Sequence, residues 1–238
     1  MAGRIAYYGG IVTDGLVLHL DAAKRDSYPG SGTVWRDLSG NGNNGTLVNG
    51  PAFDRDSGNG TIVFDGVNDY VDVQGLQNFI NQDITISSWV NFTVLNGVQT
   101  YVFFHRPEKT TESLTYLYIY RNSFWDDGQL SFLCSYVTTG GTTSTLQHYL
   151  SPGFLNEGQW YNFTANYNSI GYSNFYVNGQ LIVSRNPQPD FVRWVNVNES
   201  VMYTSINGFC PNLQIYNRAL TPTEISQNYN ALKSRFGL

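Results

Sequence analysis

Cleavage of a glycosidic bond needs two carboxylates about 5 to 10 Å apart, one on each side of the scissile bond. On a strand, two acids can share a cleft only from alternate positions. The five glutamates, Glu108, Glu112, Glu157, Glu199 and Glu224, form no such run. Asp126-Asp127-Gly128 is an adjacent pair that would point to opposite faces of a strand, and it reads as a turn. His19, His105 and His148 have no nucleophile motif beside them, and His19 is placed on a strand face read as solvent-exposed. The expectation is a protein with no catalytic residues.

Two clusters of oxygen ligands raise calcium instead. Asp37, Ser39 and Asn41 set oxygen atoms at alternate positions ahead of Gly42. That spacing partly matches an EF-hand loop but lacks the bidentate Glu that completes one. Asp65 and Asp69 form the second cluster. The alternative is that these acids cap their own turns through Asx hydrogen bonds. No cofactor is required; calcium is the one candidate ligand.

Recognition chemistry is the third possibility. In the segment 114–121, LTYLYIYR, Tyr116, Tyr118 and Tyr120 fall on one strand face, with Trp125 just beyond. An aromatic row of this kind suits a sugar platform, a partner subunit or a packed core. Trp194, in the segment 187–198, is a further contact candidate, read as lying on a loop.

These residues need a scaffold, and the composition indicates its class. The chain has 238 residues, 24 Gly, 17 Tyr, 14 Phe and 5 Trp, and 13% charged residues. Low charge with many aromatics argues against disorder and against a helical bundle. Asn-Gly pairs at Asn41, Asn44, Asn49, Asn59, Asn96, Asn178 and Asn207 supply the positive φ of tight turns. Between the turns apolar residues alternate. Leu16, Leu18 and Leu20 share one face, while Val17, His19 and Asp21 share the other. The same period holds at 84–91, 130–136 and 161–167, and it predicts strands with one face on a core. NFYVNGQLIVS, residues 174–184, predicts a hairpin turning at Asn178-Gly179.

One helix is predicted, at the C-terminal end. Thr221 caps it, Pro222 takes its first position and Glu224 completes a capping box. Ile225, Tyr229, Leu232 and Phe236 give it one apolar stripe. The net charge of −5 and the scattered 13 Lys and Arg leave no basic face for nucleic acid. No apolar run approaches the roughly 18 residues of a membrane span. The first ten residues lack the apolar region of a signal peptide. Cys134 and Cys210 match no zinc spacing and read as two buried thiols, with a disulfide between them as the alternative.

Four stretches together resemble a known family. They are GLVLHLDA (15–22), WRDLSGNGNNGTL (35–47), FDGVNDYV (64–71) and QIYNRALTPTEISQNYNALKSRFGL (214–238). The sequence is similar to the laminin-G-like jelly rolls of the concanavalin A-like lectin/glucanase superfamily. More narrowly, it resembles single-domain members encoded by tailed bacteriophages. The resemblance implies an all-β fold, an antiparallel jelly-roll β-sandwich with one short C-terminal α-helix. Glycosidases of that superfamily carry a Glu-x-Asp-x-x-Glu run, which this chain lacks.

The expected organisation is an arm over residues 1–12 and one domain over 13–238. The resemblance implies a non-enzymatic virion structural protein, assembled in the host cytoplasm in multiple copies. A capsid decoration or other virion-surface protein is favoured, because no shaft or trimerising segment is present. Its expected partners are other virion proteins, of capsid or tail, and host-surface glycans, with neither nucleic acid nor a membrane span involved. A tail or fibre receptor-binding lectin and a soluble carbohydrate-binding module are the alternatives. Arg4, Ile5, Tyr7 and Tyr8 make the arm a candidate docking segment. The competing expectation is that the arm packs along its own sandwich as an extra edge strand.

Overall fold

A computed structural model describes residues 10–73, 83–95, 100–104, 116–121, 130–150, 154–194, 200–202 and 206–238. For 100–104, 116–121, 130–137, 143–150, 191–194 and 200–202 it gives the backbone alone. In chain order the strands are β1 (Leu16–Asp21), β2 (Val34–Trp35), β3 (Gly45–Val48), β4 (Ala52–Asp54), β5 (Thr61–Asp65) and β6 (Tyr70–Val73). Then come β7 (Ile84–Phe92), β8 (Thr100–Phe104), β9 (Tyr116–Arg121), β10 (Leu130–Thr138), β11 (Thr143–Leu150) and β12 (Trp160–Tyr167). The last are β13 (Ser173–Val177), β14 (Gln180–Arg185), β15 (Phe191–Trp194), β16 (Ser200–Met202) and β17 (Asn207–Tyr216), followed by helix α1 (Pro222–Leu232).

The strands form two antiparallel sheets. The first runs β14-β13-β12-β7-β17-β5-β4, and β1 pairs with β17 beside β5. The second runs β11-β10-β9-β8-β16-β6-β3-β2, with β15 on β10. The chain crosses between the sheets repeatedly, as a jelly roll does. Leu18, Leu20, Ile62, Phe64, Val90, Phe92, Phe163, Phe175 and Ile215 from the first sheet meet Trp35, Leu47, Val71 and Val73 from the second. Along β7, β12 and β13 the residues that reach this core alternate, as the period-two reading requires: Ile84, Ile86, Val90 and Phe92, then Tyr161, Phe163, Ala165 and Tyr167, then Phe175 and Val177.

β1 departs from that reading. The register shifts between Leu16 and Leu18, so Leu16 pairs with Tyr216 and Leu18 with Ile215. This bulge inserts one residue and reverses the facing of everything before it. Leu16 therefore packs with Val12, Tyr176, Tyr216, Leu220 and Ile225 on the outer side, while Val17 packs on the inner core. The β13–β14 hairpin turns where expected, at Asn178 (φ 52°) and Gly179 (φ 74°). Trp194 lies within β15, opposite Tyr136 of β10, and not on a loop.

The outer face of the first sheet is polar, yet covered. Ser87, Asn162, Thr164, Asn166 and Gln214 are all buried. Ser87 Oγ and Thr164 Oγ1 are 2.8 Å apart, and Asn162 Nδ2 donates to Ser87 Oγ at 3.2 Å. Thr85 Oγ1 donates to the Arg218 carbonyl and accepts from Leu220 N–H, both at 2.8 Å. Asn166 Nδ2 donates to the Leu220 carbonyl at 2.8 Å. These bonds fix the connection that delivers α1 to the sheet and satisfy groups that burial would otherwise penalise.

Candidate functional site

The loop after β2 is organised by one carboxylate. Asp37 Oδ1 accepts from His19 N–H at 2.9 Å and Ser39 N–H at 2.8 Å. Its Oδ2 accepts from Ser39 Oγ at 2.7 Å and Asn43 N–H at 3.1 Å. A carboxylate has about four acceptor sites, so this one is fully engaged by the chain. Asn43 Nδ2 donates to the Val17 carbonyl at 2.8 Å, and Asn41 Nδ2 donates to the Leu16 carbonyl at 3.2 Å. The loop is thereby stitched to β1 across its bulge. A cation at Asp37 would have to replace four donors.

The second cluster is looser. Asp65 Oδ1 accepts from Val67 N–H at 2.8 Å, and Asp69 Oδ2 accepts from Asp65 N–H at 3.1 Å. Both bonds belong to the β5–β6 turn, the Asx chemistry expected of such residues. Asp69 is buried, and that burial raises its carboxyl above the ordinary range. Among the described residues no group of three or more His, Cys, Asp or Glu gathers as metal ligands would.

The aromatic row sits in the second sheet. Tyr116 lies opposite Phe104, Tyr118 opposite Leu133 and Tyr120 opposite Ser131, so all three hold interior ladder positions. Trp125 and the arm residues Arg4, Ile5, Tyr7 and Tyr8 lie outside the described residues. So do Glu108, Glu112, Glu199, His105 and the pair Asp126-Asp127.

Of the remaining glutamates, Glu157 accepts from Leu95 N–H at 2.7 Å. Glu224 accepts from Thr221 N–H at 2.8 Å, and Thr221 Oγ1 accepts from Glu224 N–H at 3.3 Å, which is the expected capping box. Glu224 is also held by both arms of the Arg218 guanidinium, at 2.6 and 2.9 Å. That pairing, with the Thr221 bonds, lowers its carboxyl to about 2. His19 differs from its expected exposure. It is half-buried, and burial pushes its imidazole below the ordinary value although Asp21 and Asp37 pull the other way. Cys210 is a buried free thiol, raised well above its ordinary value by desolvation.

The closing segment does the most structural work. Tyr229 and Phe236 lie on either side of Trp89, at 5.5 and 4.2 Å, and Trp160 lies 4.6 Å from Phe236. Arg235 Nη1 reaches the buried Asp21 carboxylate at 3.0 and 3.1 Å, and its Nη2 donates to the Gly58 carbonyl at 3.0 Å. Asn228, absent from the predicted stripe, is buried. Its Oδ1 accepts from Val12 N–H at 2.7 Å and its Nδ2 donates to Tyr216 Oη at 3.0 Å. Tyr216 Oη donates in turn to the Val12 carbonyl at 3.0 Å. Val12 is thus fastened to the helix, and sequence spacing held no signal for this contact between residues 216 positions apart.

Two facing antiparallel sheets with crossing connections and a short closing helix define a jelly-roll sandwich of the lectin type. A family model described as the concanavalin A-like lectin/glucanases superfamily matches residues 65–226, and the chain belongs to that superfamily. No curated protein sequence matches it. Among solved structures, the binding domain of Paraclostridial Mosquitocidal Protein 1 superposes with a TM-score of 0.65 at 22% identity, over 92% of this chain and 52% of that one. The botulinum neurotoxin serotype D binding domain gives 0.66 at 15% identity, over 92% and 52%. Domain 4 of AbnA, a GH43 extracellular arabinanase from Geobacillus stearothermophilus, in complex with arabinotriose, gives 0.63 at 19% identity, over 90% and 98%. The chain spans about half the length of the two toxin binding domains. At these identities the likeness is one of fold.

Proposed function

We propose that this chain is a non-enzymatic virion structural protein of a tailed bacteriophage, a capsid decoration or other virion-surface protein that adheres to glycans. The observation that carries the reading is the closing segment YNRALTPTEISQNYNALKSRFG, which resembles phage-encoded members and sits on a lectin-type sandwich. The described glutamates support a non-catalytic role, since Glu157 and Glu224 are both engaged in holding backbone. In this reading the arm, with Arg4, Ile5, Tyr7 and Tyr8, docks the domain onto a neighbouring virion subunit. Glycans meet the β9 tyrosines Tyr116, Tyr118 and Tyr120, with Trp125 and Trp194. Any calcium binds at Asp37, Ser39 and Asn41 or at Asp65 and Asp69.

The second reading is a lectin, either tail-borne or a soluble carbohydrate-binding module. It is favoured by the fold shared with an arabinanase domain solved with arabinotriose, nearly all of which is covered. Purified particles distinguish the two. The virion reading requires the chain to copurify with capsid or tail, and requires deletion of residues 2–10 to abolish incorporation without lowering the melting temperature. If the chain is absent from particles yet binds immobilised glycans, the lectin reading replaces it. Repeating the glycan measurement with and without calcium tests the oxygen clusters.

A further inference from the structure

Six of the seven Asn-Gly pairs lie in described residues, and the fold divides them sharply. An Asn-Gly pair can rearrange without an enzyme. The glycine amide nitrogen, after losing its proton to a base, attacks Cγ of the asparagine side chain. A new C–N bond forms, the Cγ–Nδ2 bond breaks and ammonia leaves with a proton. Water then opens the cyclic imide at either carbonyl, leaving aspartate or isoaspartate. The step needs a glycine N–H without an acceptor, room for the backbone to pivot and access for water.

Four pairs fail these requirements. Gly45 is buried in β3, paired with Trp35 and Val73. Gly60 is buried and its N–H donates to the Ser57 carbonyl at 3.0 Å. A substituent on Gly179 would meet Tyr229 at 3.1 Å, so the backbone of that pair has no room to pivot. Gly208 is buried within β17, against the Asn91 carbonyl.

Two pairs are open. Asn41, Gly42, Asn49 and Gly50 are all exposed, a Cβ at either glycine would meet nothing within 4 Å, and no acceptor for either glycine N–H is found among the described residues. We propose that Asn41 and Asn49 are sites of spontaneous deamidation, and that Asn41 is the one with structural consequence. Asn41 Nδ2 donates to the Leu16 carbonyl and to Ser39 Oγ, at 3.2 and 2.9 Å. Losing that nitrogen removes both bonds and places a second anion beside Asp37. An isoaspartate also lengthens the main chain of the loop by one methylene. The modification therefore loosens the Asp37 loop from β1, whereas Asn49 loses only its bond to the Asn68 carbonyl.

Peptide mapping of the full-length chain, aged in warm, mildly alkaline buffer with and without denaturant, tests the assignment. Native protein should gain aspartate and isoaspartate at Asn41 and Asn49 alone of the six, while denatured protein converts all six at comparable rates. Melting of Asn41→Asp should be lowered relative to the parent, and Asn49→Asp should melt as the parent does. The proposal is overturned if Asn44, Asn59, Asn178 or Asn207 converts as fast as Asn41 in the native chain. It is equally overturned if Asn41 stays an amide there, or if Asn41→Asp melts unchanged.

Discussion

Asp37 and Thr221 are short polar side chains whose hydrogen bonds go to nearby backbone, and each fixes an entry angle for an element. Replacing Thr221 with Ala removes the acceptor for Glu224 N–H and should cost about 1 kcal/mol, read as a shift in the urea midpoint. An unchanged midpoint would mean the cap contributes nothing. Titratable residues add a pH dependence. Burial holds His19 below its ordinary value of 6.5. The unfolded chain therefore takes up that proton more readily, and stability declines as the pH drops below about 6.5 until the folded imidazole is itself protonated. Glu224 acts later: its stabilisation is complete above 4.5 and is lost as the pH falls through about 2. Urea midpoints across the acid range should show both declines, and His19→Gln should remove only the first.

At the level of elements, α1 and the turn after it close the first sheet. Arg235 is paired with Asp21, which is 2% exposed. A buried carboxylate stripped of its partner is expensive, so Arg235→Leu should cost about 3 kcal/mol. The double variant Asp21→Asn/Arg235→Leu should recover part of that loss, because the stranded charge is gone. Equal costs for the single and double variants, measured by denaturant unfolding, would contradict this account. The 174–184 hairpin and the Thr221 cap were legible because their determinants lie within a few residues of one another. The bulge at Leu16–Leu18 was not, since a period-two reading assumes an unbroken ladder and the extra residue is accommodated only against β17.

For the whole molecule, seven residues of the closing segment have a structural assignment. Tyr216, Arg218, Glu224, Asn228, Tyr229, Arg235 and Phe236 all bind or stack within the chain. The resemblance it carries is therefore chiefly a statement about how this sandwich is sealed, and a scaffold sealed in this way hosts many functions. Incubation with β-glucans, agar or chitin should release no reducing sugar, because the sequence lacks a Glu-x-Asp-x-x-Glu run and both described glutamates hold backbone. Release that vanished on neutralising one acid would refute it.

The all-β class, the 174–184 hairpin and the capped final helix are legible in the chain alone. Each follows from short-range sterics and hydrogen bonds at Asn-Gly pairs, in alternating segments and in Thr-Pro-Thr-Glu. Which of these surfaces is covered depends on the packing of the folded molecule. Ser87, Asn162 and Thr164 lie on the polar side of the alternation yet are sealed in a hydrogen-bonded layer, and His19, expected to be exposed, is half-buried. Burial depends on which distant segments arrive. Asn228 meets Val12 and Arg235 meets Asp21 across more than two hundred residues, and nothing in the local pattern of either partner encodes the other.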